Sequence, residues 1–259
     1  HQVSLLRNET NLGLIAHVNK IFGLCKGDLI VVSAGDDISL SCRARRVAEE
    51  YLRRDRPMLL LHSDVKKIDQ LGHEKGRWAP PIASRNHSLM DIATSEAVYI
   101  GATAAFSRSL VDKFPPLEFE NAWEDLVWGF RAAMFDALIY LPEPLVKYRV
   151  GFGVSSEVRD QKFFSAMLKT HRKMRSVIVD VLEQRLRDVG VVNGDCSGKL
   201  KLALKNALKV ERVRQQMSVM PFRGALENLL LNPIAFGRAL FMDLRWVANY
   251  CQRKIINAD

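Results

Sequence analysis

Apolar residues recur at roughly helical spacing through residues 12–24, at Leu12, Ile15, Ala16, Phe22 and Leu24, and predict an amphipathic helix. Lys26-Gly27 stops it, and the apolar run across residues 28–33 predicts a buried strand that ends at Gly35. A second helix is expected through Val47, Tyr51 and Leu52, capped by Ser39 or Ser41, with an arginine-rich outer face. Residues 58–62 read as another short buried strand. Residues 65–95 show no clear period, contain Gly72, Gly76 and Pro80-Pro81, and are expected to form a long loop. Core-like sequence resumes at Tyr99-Ile100-Gly101-Ala102, with a short helix near 107–112 and a break at Pro115-Pro116. A helix over 123–136 then precedes two strands, 138–141 and 145–148, separated by Pro142. Alternating strands and helices predict an α/β sheet. From about residue 161 the pattern is helical throughout. Phe164, Leu168, Met174, Ile178, Val181, Leu182 and Leu186 share one face, Gly190 ends that helix, and further helices cover 198–217 and 223–256.

At 259 residues and 48% hydrophobic, the chain can bury one full core and carry an appendage. It contains no run of 18 uncharged apolar residues, so no spanning helix is expected. Cys25, Cys42, Cys196 and Cys251 lack paired short spacing and no signal peptide is visible, which suits reduced thiols in the cytoplasm. Charge is balanced over residues 1–155, so the whole excess of +9 falls in 156–259. The first segment reads as an enzyme core and the second as a basic helical extension with a cationic attachment surface.

Candidate chemistry starts with Asp36-Asp37, two adjacent carboxylates at the carboxyl end of a strand, where open α/β sheets bind ligands. Their mutual repulsion calls for a cation, and a divalent metal is the natural one. A solvated turn, with Asp37 capping the next helix, is the plain structural alternative. Glu124-Asp125 opens a helix, a placement that the helix dipole alone would also select, at about 0.3–1 kcal/mol. His17, His62, His73 and His87 lack metal-ligand spacing.

In chain order the landmarks are Asn11-x-Gly13, Asn19, Lys26-Gly27-Asp28, a strand, Gly35-Asp36-Asp37, Gly101, Glu124-Asp125 and Tyr148-Arg149. Their order and spacing over residues 5–155 resemble the inverting family 2 glycosyltransferases of the GT-A fold. That resemblance implies a Rossmann-like mixed sheet flanked by helices and transfer of a sugar from a nucleoside diphosphate sugar, UDP-linked, to an acceptor hydroxyl. It implies Mg²⁺ or Mn²⁺ on Asp36, supported by Asp37, to neutralise the departing diphosphate. Asp125 would be the catalytic base. Asn11, Gly13, Asn19 and Arg149 would contact the donor, Arg149 through its phosphates. Gly101, Trp123 and Glu124 would contact a glycan or lipid-linked acceptor, as in bacterial surface polysaccharide or glycolipid synthesis.

Three departures from the family pattern stand out. Ala34 replaces a frequent Asp, and Gly151-Phe152-Gly153 replaces a histidine after Tyr148-Arg149, giving a glycine-rich lid. The chain also begins after the family's first strand and Asp-rich turn, so these residues alone are expected to turn over substrate poorly. A non-catalytic binding or scaffold module on a degenerate transferase fold is the rival reading. The basic helices suit an anionic membrane surface on the cytoplasmic face, or packing and homo-oligomer formation. No nucleic-acid recognition motif is present.

Overall fold

The computed structural model describes residues 3–55, 57–80, 87–151, 163–192, 197–219 and 221–256. Six strands, β1 (Leu29–Val31), β2 (Ile38–Ser39), β3 (Leu60–Ile68), β4 (Glu74–Trp78), β5 (Ala105–Ser107) and β6 (Leu138–Arg149), form one mixed sheet. Its order is β1-β5-β3-β6-β2, with β4 hydrogen-bonded to β3. Only β3 and β6 run parallel, from Leu60 opposite Leu138 to Ile68 opposite Arg149.

Side chains alternate across the pleat, so the sheet separates two apolar clusters. Leu60 and Phe106 face one way, with helices α1 (Leu14–Leu24), α5 (Glu124–Ala133) and α6 (Phe163–Asp188). Leu59, Leu61 and Ala105 face the other way, against Val47 and Tyr51 of α2 (Arg43–Arg53). Trp128 of α5 anchors the larger cluster, with Phe22, Phe106 and Phe114 edge-on to its ring at 5.4, 5.5 and 6.3 Å.

The helical segment enters that same cluster. Ile178, Val181 and Leu182 of α6 are buried there with Leu200, Leu204 and Leu208 of α7 (Ser197–Val219), while Met174 and Leu186 are partly buried against it. The expected division near residue 155, the glycine-rich lid at Phe152-Gly153 and the side chains of Phe164 and Leu168 lie outside the described residues. Several C-terminal charges are internal rather than part of a surface. Asp188 forms a wholly buried ion pair with Arg131 of α5 at 2.7 Å, and Arg175 and Arg214 each sit 2.6 Å from Glu211. Arg185 of α6 is also fully buried and donates to the carbonyls of Leu126, Ala93 and Ser95.

Several expectations are corrected. Much of the segment expected as a loop is ordered into elements: β3 continues to Ile68, turns at Gly72 (φ 89°) and returns as β4, and α3 (Leu89–Thr94) follows, with residues 81–86 outside the described ones. β4 is exposed at every position, so its polar Glu-Lys-Gly-Arg-Trp sequence carries no alternation to detect. A Ser88–Asp91 capping box starts α3. The strand after Asp28 is a three-residue sheet edge with Val31 exposed, not a buried strand. Ser39 does not cap α2 but lies in β2 and accepts from Arg43 Nη1 at 2.9 Å, while Cys42 takes the cap position with no side-chain bond. Arg43 itself is buried rather than on the outer face, donating to Val32 O at 2.7 Å. The two strands expected around Pro142 are the single strand β6, because the pairing shifts register opposite Ser63–Val65 and absorbs the prolines that cannot donate. The final helix divides at Pro233 into α8 (Pro221–Leu231) and α9 (Pro233–Ile256). Cys25 and Cys42 are free thiols, and the side chains of Cys196 and Cys251 fall outside the described residues.

Replacing Arg185 removes a buried donor shared by the carbonyls of Leu126, Ala93 and Ser95. Arg185→Leu is expected to lower unfolding free energy by about 3 kcal/mol, against a change within about 0.5 kcal/mol for the exposed Arg45→Ala. Urea denaturation checks both.

Candidate active site

Asp36 and Asp37 sit in the turn that connects edge strand β1 to β2, beside the carboxyl end of the sheet, with Asp36 exposed and Asp37 half-buried. Arg149, at the end of β6, holds this turn. Its backbone N–H donates to Asp37 Oδ1 at 2.8 Å, and its Nε donates to the Asp36 carbonyl at 2.9 Å. Nη1 reaches the carbonyls of Asp69 and Gln70, both at 2.8 Å, and so ties the turn to the β3–β4 hairpin. Asp37 therefore caps no helix. Its second oxygen, Oδ2, is shielded from solvent and has no hydrogen-bond partner. Burial, then the charge of Asp36, pushes the Asp37 carboxyl above its usual range, against the Arg149 N–H and the charges of Arg149 and Arg43.

Glu124 and Asp125 open α5, with Trp123 at the cap position. Asp125 Oδ1 accepts from Leu126 N–H at 2.8 Å. Burial lifts the Asp125 carboxyl to about 8; the neighbouring Glu124 charge adds to the rise, and Arg185 opposes it. Burial likewise raises Glu124, and burial with these two carboxylates drives the Tyr99 hydroxyl well above its ordinary value. Gly101 makes room for the pair: a Cβ there would lie 3.0 Å from Glu124 Oε1 and 3.7 Å from Asp125 Oδ2. A side chain at 101 would crowd the Glu124 carboxylate, while Asp125 Oδ2 would be in ordinary contact with it.

Both acidic pairs line one open cleft of about 560 Å³, along with Gly101, Trp123, Tyr99, Trp78 and Tyr148. Two strongly separated stretches of sequence thus meet in space. Other expected residues do not join them. Asn11 Oδ1 accepts from Gly13 N–H at 2.9 Å, and Gly13 (φ 75°) starts α1, so both shape the helix entrance. The Asn19 amide is engaged with the Leu117 backbone in both directions, at 2.8 and 3.0 Å. Arg149 acts as a strut behind Asp36-Asp37, with its donors on carbonyls instead of facing the cleft.

The sequence named Tyr148 as a landmark without a role, and Trp78, Glu96 and Tyr99 were not anticipated as wall residues. Trp78 packs edge-on to Tyr148, with centroids 5.9 Å apart. Arg77 beside it is bonded to the buried Asp64, which pins the hairpin and with it Trp78. A lone tryptophan in a polar stretch was the available signal.

Carboxylate oxygens suit Mg²⁺ or Mn²⁺, and the unpartnered Asp37 Oδ2 is an acceptor in need of a cation. Among the described residues no group of three or more His, Cys, Asp or Glu side chains could hold a metal. Asp36 and Asp37 are the residues that could hold such an ion, with water and substrate phosphates supplying its remaining ligands.

The raised Asp125 value has a defined sign for stability. Below about pH 4 both folded and unfolded states hold its proton; between about 4 and 8 only the folded state keeps it. Wild-type stability should therefore fall through that window relative to Asp125→Asn. Thermal unfolding should show the variant gaining on wild type up to about pH 8 and level beyond it.

No protein-family model matches the chain and no curated protein matches it.

Proposed function

We propose that the cleft transfers a sugar, with inversion, from a nucleoside diphosphate sugar to an acceptor hydroxyl, on a GT-A-like sheet. The observation that supports this reading most is the meeting of Asp36-Asp37 and Glu124-Asp125 on one cavity with aromatic walls. Such a reaction needs cation binding at one end, for a diphosphate, and a proton acceptor at the other.

Asp36 and Asp37 would hold the Mg²⁺ or Mn²⁺, which supplies charge neutralisation for the departing diphosphate. Arg149 keeps the two carboxylates in register by holding their turn. Asp125 takes the acceptor proton. As that proton moves to Asp125 Oδ2, the acceptor oxygen bonds to the anomeric carbon. The bond from that carbon to the diphosphate breaks, and its electron pair leaves with the phosphate oxygen. Attack from the side opposite the leaving group inverts the centre without a sugar–enzyme bond. A carboxyl near 8 is a stronger base than an exposed one and is still ionised in part at neutral pH, which suits general base catalysis. Glu124 faces the same gap beside Gly101, placed to accept from a second acceptor hydroxyl. Trp123, Trp78 and Tyr148 offer apolar faces to sugar rings.

Calorimetric titration of UDP in the presence of Mn²⁺ tests the assignment. Asp36→Ala should weaken Mn²⁺-dependent UDP binding at least tenfold. Asp125→Asn should bind as wild type while release of UDP from a UDP-hexose falls by about 10²–10⁴-fold. Metal-dependent binding untouched by Asp36→Ala would overturn the site.

A further inference from the structure

We propose that the α8–α9 turn, with the cations around it, docks on an anionic membrane surface. This inference stands apart from sugar transfer and rests on different residues. Only Asn232 separates the two helices, and its N–H bonds to Asn228 O at 2.9 Å while Phe236 N–H bonds back to Asn232 O at 2.9 Å. The turn is therefore a fixed tip. Leu230, Leu231 and Ile234 at that tip are 73%, 77% and 76% exposed, and Leu226, Phe241 and Leu244 continue the apolar surface along both helices.

Cations outnumber exposed carboxylates around the tip. Lys205 and Lys209 lie one helical turn apart on α7 and line a cleft of about 450 Å³ that reaches Asn228 and Asn232. Neither lysine has a carboxylate partner among the described residues, and Arg238 and Arg245 on α9 are likewise unpaired there. The one carboxylate of α9, Asp243, is turned inward to His171 and Arg214 at 3.0 and 2.6 Å. Glu227 is the one exposed carboxylate on α8.

The residue types favour lipid over a protein partner. Protein interfaces are depleted in Lys and concentrate their binding energy in Trp, Tyr and Arg, with Leu under-represented. Here aliphatic side chains form the tip and long-stemmed lysines flank it, the arrangement in which apolar groups enter the acyl boundary while ammonium groups stay with the phosphates. No described helix is long and apolar enough to cross a membrane, so α8 and α9 would lie along the interface. Phe241 and Met242 also line a groove of about 590 Å³ that includes Glu96, and Glu96 is also a wall of the carboxylate cleft. Membrane face and cleft are thus neighbours, an arrangement suited to an acceptor carried on a lipid.

Flotation of the full chain with vesicles decides the matter. The protein should float with phosphatidylcholine vesicles containing phosphatidylglycerol and be released at about 1 M salt, where the screening length is about 3 Å. Lys205→Gln with Lys209→Gln should lower that partition about thirtyfold, at about fivefold per cation. Leu230→Gln, Leu231→Gln and Ile234→Gln combined should lower it at least tenfold, with unchanged circular dichroism. Absence of flotation with these vesicles, or equal flotation with vesicles of phosphatidylcholine alone, overturns the proposal. So does a dimer in sedimentation velocity that the triple glutamine variant dissociates, since a second copy would then cover the tip.

Discussion

The buried guanidinium of Arg185 is the contact on which the site depends most. It projects from α6 and donates to Leu126 O at 2.6 Å, one residue beyond Asp125. It also donates to Ala93 O and Ser95 O at 2.9 and 3.0 Å, at the end of α3. Burial pulls its own proton affinity down to about 9, against the attraction of Asp125 and Asp188. A cation placed there fixes the first turn of α5, so the helical segment sets the position of Glu124 and Asp125. Of the two roles the sequence left open for the basic helices, packing on the sheet is the one that α6 and α7 show, since both enter the main apolar cluster.

Strong periodicity was legible and weak periodicity was not. Ile178, Val181 and Leu182 were expected on one face of a long helix and lie buried together in the core. β4 was invisible because an edge strand with both faces in solvent has no reason to alternate. The single strand through Pro142 and Pro144 was unreadable for another reason: the register shift that rescues it is a property of its neighbour, β3. Charge misled in a similar way. Arg175, Arg185 and Arg214 add to the C-terminal excess in sequence but are interior groups, because each has carboxylates or carbonyls from distant elements to satisfy it.

The site shows the same split. Local acidic pairs could be named from the chain, and the fold brings Asp36-Asp37 and Glu124-Asp125 to one cavity. Roles that depend on long-range partners could not. Asn19 belongs to Leu117 and Arg149 to the carbonyls of Asp36, Asp69 and Gln70, and nothing near either residue in sequence announces that. Gly101 was read as an acceptor contact; its structural reason is the space that two raised-pKa carboxyls need.

The central claim is that a cation held by Asp36 and Asp37 faces the same cleft as Glu124 and Asp125. Paramagnetic broadening by Mn²⁺ with UDP tests it through the four tryptophan indole signals of the chain. Trp78 and Trp123 line the cleft, whereas Trp246 belongs to α9. The account predicts that the Trp78 and Trp123 indole resonances broaden at low Mn²⁺ while Trp246 stays sharp, and that Asp36→Ala removes the effect. Equal broadening of all signals, or selective broadening that survives Asp36→Ala, would contradict it.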